Sequence, residues 1–231
     1  MRMVIAWAAL AAGAAPAAAQ TIDELCQRVR QMPAVGEWAQ YRITSDKGVM
    51  EIRMAIVGKE AVSGKDHYWM EMKMEMKTDV GQGPMIVQTL ISVFPYDQAD
   101  IQAVVMKMGG QPAMKVSGSM LSAMQGMMGQ APNPGETVRA ALEKCNTAEI
   151  VGRETITVPA GSMPAIHFRA TAVGDKGEGW VSPDVSGFGI VKMIWSEGGG
   201  GEMVLLGHGK DAKSSITETP QAMPGMPRGH N

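Results

Sequence analysis

Aromatic side chains are scarce in this 231-residue chain: 5% in all, with only three phenylalanines and three tyrosines. A core built on stacked rings is thereby excluded, and aliphatic side chains and methionine must fill it. Cysteine occurs twice and histidine four times. Neither comes at the spacing that zinc ligands require, so a structural zinc site is not indicated. No block of basic residues interrupts a near-neutral balance of 21 Lys+Arg against 23 Asp+Glu, which removes nucleic acid from the expected partners. Beyond the first twenty residues, no apolar run approaches the ~20 residues of a spanning helix.

The one apolar run lies at the N-terminus. Arg2 is followed by an uncharged stretch from Val4 to Ala15 and then by the small residues Ala17, Ala18 and Ala19. That order of charge, apolar run and small-residue site is the layout of a cleaved export signal, which predicts a signal peptide over 1–19 and a periplasmic location. The remainder fits one domain, predicted over 20–210. The Ser/Thr/Pro/Gly-rich stretch at 211–231 reads as a disordered tail.

In an oxidising compartment an even cysteine count favours pairing, so a Cys26–Cys145 disulfide is expected. It would close a long loop, worth up to about 4–5 kcal/mol in the chain-entropy model. Two free buried thiols are the alternative. A lipid-modified Cys26 fits poorly, because Asp23-Glu24-Leu25 precede it.

Periodicity sorts the chain into strands with two helical interruptions. Thr21 and Glu24 form a capping-box pattern for a short helix ending before Pro33. Period-two alternation then marks strands at 38–44 and 50–57, joined by Asp46-Lys47-Gly48, and another turn falls at Ser63-Gly64-Lys65-Asp66. At 68–77 it places Tyr68, Met70, Met72, Met74 and Met76 on one face and Glu71, Lys73, Glu75 and Lys77 on the other, which reads as solvated. Strands are predicted also at 85–94 and 101–108. Met120, Leu121, Met124, Met127 and Met128 recur at helical spacing over 119–128, and a second helix is predicted at 134–144 with Cys145 at its end. Strands return at 148–158, 163–173, 178–182, 188–195 and 202–208. The fold class expected is α+β, mainly antiparallel β, with the apolar-striped helices covering one face of the sheet.

Five short patterns occur in order: Val151-Gly152-Arg153-Glu154, Pro159-Ala160-Gly161, Trp180-Val181-Ser182-Pro183, Gly189-Ile190-Val191-Lys192 and Leu205-Leu206-Gly207. Together with their strand-rich flanks they resemble periplasmic proteins related to the LolA/LolB-type lipoprotein carriers. The resemblance implies a strongly curved antiparallel sheet, an incomplete barrel, with helices over its concave face and a cavity for acyl chains. No carrier residue maps onto a numbered position here, and the Met-rich helical insertion departs from the carriers.

Catalysis has little footing. His67, His167, His208 and His230 lie in separate segments, Ser162 stands outside a G-x-S-x-G elbow, and Gly198–Gly201 lacks the phosphate-loop pattern. The chemistry that stands out is thioether, with 22 methionines. Methionine is flexible and polarisable, so a surface lined with it adapts to ligands of variable shape. The expectation is a non-enzymatic binding protein without a cofactor, holding a lipid acyl chain or other apolar molecule against Met70, Met72, Met74, Met120, Met124 and Trp180. Ordinary core filling is the competing reading. Thioethers also select Cu(I), which makes a copper-buffering protein the alternative, with ligands either from one helix face, Met120, Met124 and Met127 or Met128, or from the tail, Met223, Met226 and His230. A structural envelope protein with no ligand, or with an envelope protein as partner, is the third.

Overall fold

The computed structural model describes residues 31–46, 48–75, 83–92, 101–117, 148–170, 177–196 and 199–222. The signal peptide predicted over 1–19, the helices predicted at 119–128 and 134–144, Cys26, Cys145, Met120 and Met124 lie outside these residues. Twelve strands form one continuous sheet: β1 (Trp38–Ser45), β2 (Gly48–Val62), β3 (Lys65–Glu75), β4 (Met85–Ile91), β5 (Ala103–Met108), β6 (Met114–Ser117), β7 (Glu149–Val158), β8 (Gly161–Ala170), β9 (Gly177–Val181), β10 (Ile190–Trp195), β11 (Gly201–Gly209) and β12 (Gln221–Ala222). Their order across the sheet is β12-β6-β5-β4-β3-β2-β1-β11-β10-β9-β8-β7. All pairings are antiparallel except that of β12 with β6.

The local chemistry of the turns accounts for the hairpins. Between β2 and β3 the two central residues have positive φ, Ser63 at 50° and Gly64 at 77°. That is the turn geometry whose twist matches two antiparallel strands, and it fixes the pairing of Val62 with Lys65. Ser45 pairs with Gly48 across an equally short connection between β1 and β2.

The expected α+β class is corrected to an almost purely β architecture. Among the described residues there is no α-helix, none that could cross a membrane, and none laid over a concave face. The sheet is open, ending in β12 and β7, rather than a barrel. Two other elements do the covering. On one face the sheet covers itself. The main core joins Ala39, Tyr41, Ile56, Met70 and Ile91 of β1–β4 to Val158, Met163, Ala165, Trp180, Val191 and Leu205 of the β7–β11 half. The Ala160 amide donates to the Leu205 carbonyl at 3.3 Å, although their strands sit at opposite ends of the run β11-β10-β9-β8-β7. The tip of the β7–β8 hairpin therefore folds back onto β11.

The opposite face of β3–β5 is covered by the C-terminal segment. Residues 211–222, expected as part of a disordered tail, instead run across the sheet as a strap and end in β12. Asp211 accepts from the Trp38 indole N–H at 2.8 Å, the Ala212 amide donates to the Gly36 carbonyl at 2.9 Å, and Lys107 Nζ reaches Glu218 at 2.6 Å. Ile216 packs with Ile86, Val105 and Ala113 in a second, smaller core. Gly36 is required where the strap begins. Its φ is +93°, and a Cβ there would stand 2.6 Å from the Lys210 carbonyl oxygen.

This strap corrects the reading of Glu71 as a solvated charge. Glu71 is 1% exposed. Its carboxyl accepts from the Ser215 amide at 2.8 Å, the Ser215 hydroxyl at 2.6 Å and Gln88 Nε2 at 2.8 Å. A buried acceptor needs partners, and the strap supplies two of the three.

Two of the strap's anchors titrate below their usual range. The hydrogen bond from Trp38 lowers the Asp211 pKa, and that from Lys107 lowers the Glu218 pKa. A carboxylate depressed by folding stabilises at pH values above its unfolded pKa, and that contribution is lost as pH falls through the folded value. Acidification below the ordinary carboxylate range, about 4, should therefore loosen 211–222 before the sheet. Amide exchange across the strap is expected to rise there while β1 exchange holds, and Glu218→Gln should flatten the acid response. Unchanged strap exchange down to that range would show that these two contacts do not anchor it.

Candidate functional site

Directly paired residues on neighbouring strands project from the same face, so the register converts strand pairing into surface composition. One row runs Met54–Met72–Val87–Met106–Met114 across β2–β6. Two residues along the strands, the next runs Leu205–Tyr41–Ile52–Met74–Met85–Met108 across β11 and β1–β5. A third joins Met193–Met203–Ile43–Met50. None of these rows contains a charged side chain. Toward β1 and β11 this face is sealed in the main core, where Tyr41 is 1% and Leu205 0% exposed. Toward β6 it remains open. Met72, Met74, Met85, Met106 and Met114 are only half-buried, and Met108 is 44% exposed. The candidate site is this thioether field on β2–β6.

The residues singled out from sequence fall in different places. Met70 is 2% exposed and belongs to the core, with Met72 packed against it. Met74 lies in the open rows. Trp180 is 8% exposed, in the main core. It also meets polar partners: the ring stacks on His167 at 4.2 Å, Lys192 Nζ stands 5.6 Å from its centroid, and its N–H donates to Glu154. The structure does not place Trp180 in the methionine rows. Met54, Met85, Met106, Met108 and Met114 were missed. Alternation within 50–57 puts Met54 with Ile52 and Ile56 on one side of its strand, but nothing local says which strands are neighbours.

A polar cluster occupies β7–β10. His167 Nδ1 lies 3.3 Å from Glu154 and Nε2 3.3 Å from Glu178, the latter without hydrogen-bond alignment. Glu178 is also held by Arg169 at 3.1 Å, and that hydrogen bond is the main reason its pKa is lowered. Arg169 and Glu178 pair across β8 and β9. In the main core the Tyr41 hydroxyl is buried with no hydrogen-bond partner among the described residues, and burial raises its pKa. Among the described residues no three His, Cys, Asp or Glu side chains converge as metal ligands.

No protein-family model matches the chain, and no curated protein does. Three solved structures are similar in part. The MucB chain of a MucB–MucA(peri) complex overlaps with a TM-score of 0.46 and 11% identity over 88% of this chain, which spans 60% of the MucB chain's length. A protein described as a lipoprotein from Parabacteroides distasonis gives a TM-score of 0.34 at 12% identity, covering 78% of this chain and 97% of its own. A protein from Bacteroides fragilis described as exported, with a YmcC-like fold, gives 0.35 at 12% identity, covering 78% and 99%. Overlaps this partial assign no activity to this chain.

Proposed function

We propose that this is an exported, non-catalytic binding protein of the bacterial envelope, and that the thioether field on β2–β6 takes up an apolar chain such as a lipid acyl group. The N-terminal pattern of Arg2, apolar run and Ala17–Ala19 supports the address. The observation that carries the binding reading is the set of half-buried methionines in two charge-free rows, on the one face of β2–β6 that the strap does not cover. Half-buried apolar rows lose contact with water when a ligand covers them, at about 25 cal/mol per Å². Methionine's unbranched side chain lets one surface fit several chain shapes. Five strands at about 4.8 Å spacing make the field about 19 Å across, the scale of an extended long acyl chain.

The test is a titration of the full chain with a fluorescent long-chain fatty acid. Met106→Glu and Met108→Glu each place a charge in an open row, and each should weaken binding about tenfold or more, or 1.4 kcal/mol. Both positions are at least partly exposed, so melting temperatures should stay near that of the parent. Saturable binding that neither charge disturbs, or no binding by the parent chain, would overturn the reading.

A further inference from the structure

We infer that Met74, Met85 and Met108 form a site for Cu(I) at the open margin of the methionine field. The three belong to one row on three consecutive strands, with Met74 paired to Met85 and Met85 to Met108. Antiparallel partners stand about 4.5–5.5 Å apart at Cα. Each thioether sits at the end of three rotatable bonds, so three sulfurs from one row can close on a single ion without backbone movement. Met74 and Met85 are half-buried and Met108 is 44% exposed, so all three side chains are at least partly open to solution.

The donor set decides the metal. On this face the row carries Leu205, Tyr41 and Ile52 beyond the three methionines, and no carboxylate or imidazole. Mg, Ca and Mn prefer oxygen ligands, and Zn takes imidazole or thiolate, whereas neutral thioethers select soft Cu(I). A cluster of carboxylates would have pointed the other way. The placement also differs from the helix and tail methionines that spacing alone had suggested, because only the strand register brings these three together. No change of oxidation state is involved, since the ion enters and leaves as Cu(I).

The site stands on the same face as the proposed apolar ligand but does not depend on it, and a charge placed outside the triad separates the two. Leucine keeps volume and apolarity and removes the sulfur. The experiment is an anaerobic titration of the full chain with the Cu(I)–acetonitrile complex against ferrozine. The triple variant Met74→Leu, Met85→Leu, Met108→Leu should withhold one equivalent fewer than the parent. The pair Met193→Leu, Met203→Leu, on the far side of β1, should behave like the parent. Met106→Glu keeps all three sulfurs, so it should weaken fatty-acid binding while withholding as much Cu(I) as the parent, and fatty-acid binding that it leaves unchanged would count against the apolar reading alone. A triple variant that holds as much Cu(I) as the parent would overturn the site. So would a copper absorption-edge spectrum of the parent's complex dominated by nitrogen or oxygen neighbours.

Discussion

Replacing Glu71 by alanine should lower the melting temperature by about 10 °C or more, a loss of about 3–5 kcal/mol. Alanine would leave the Ser215 amide, the Ser215 hydroxyl and Gln88 Nε2 facing a buried space with no acceptor. Each unsatisfied buried donor costs about 1–3 kcal/mol, and the vacated volume adds lost contacts. Gln88 retains its second contact to Ser214 at 2.6 Å, which keeps the total below the sum of three full penalties. Glu71→Gln keeps the shape and one acceptor oxygen, so it should cost less than half as much. Scanning calorimetry of the three proteins measures both. An alanine variant melting within about 2 °C of the parent would mean that the strap is not anchored through this carboxyl.

Leu205→Ala is expected to cost about 2–5 kcal/mol, the range for truncating a large aliphatic side chain in a packed core. Leu205 is 0% exposed and sits where the two halves of the sheet meet. It pairs with Tyr41 on one side, and its carbonyl accepts from Ala160 at the tip of the β7–β8 hairpin. The cavity should therefore loosen the hairpin tip as well as lower global stability. Amide exchange at Ala160 should rise more than exchange within β2–β4, whose pairing does not involve Leu205. A uniform rise across the sheet, with no excess at the tip, would mean that the fold-back contributes little beyond ordinary burial.

Much of the strand content was legible because a half-buried strand writes its environment into every second residue. Alternation in 38–44, 50–57 and 68–77 located β1, β2 and β3, and the Ser63-Gly64 turn located the hairpin between the last two. The same rule failed at Glu71. It sits on the charged side of β3, between Met70 and Met72, and local pattern makes it a surface residue. Its burial depends on Ser214, Ser215 and Ile216, far along the chain in a stretch whose composition resembles a solvated tail. Strands β6 and β12 were unreadable for a related reason. They are short, and their pairing is set by neighbours rather than by any period of their own.

The candidate site divides in the same way. Alternation puts Met70, Met72 and Met74 on one face, yet the structure sends Met70 into the core and leaves Met74 half-buried. Local alternation gives the face but not the depth, because depth depends on what the rest of the sheet folds over. Met85, Met106, Met108 and Met114 join the site only through register.

By itself the sequence determined the strand periodicity, the turn positions and a supply of thioethers too large to ignore. Tertiary structure alone decided which methionines lie side by side, that the C-terminal segment seals one face, and that the hairpin tip closes the main core. The physical reason is that side-chain alternation is a property of consecutive residues. Neighbourhood across a sheet is a property of backbone hydrogen bonds between residues far apart in the chain, and those bonds leave no periodic mark on either partner.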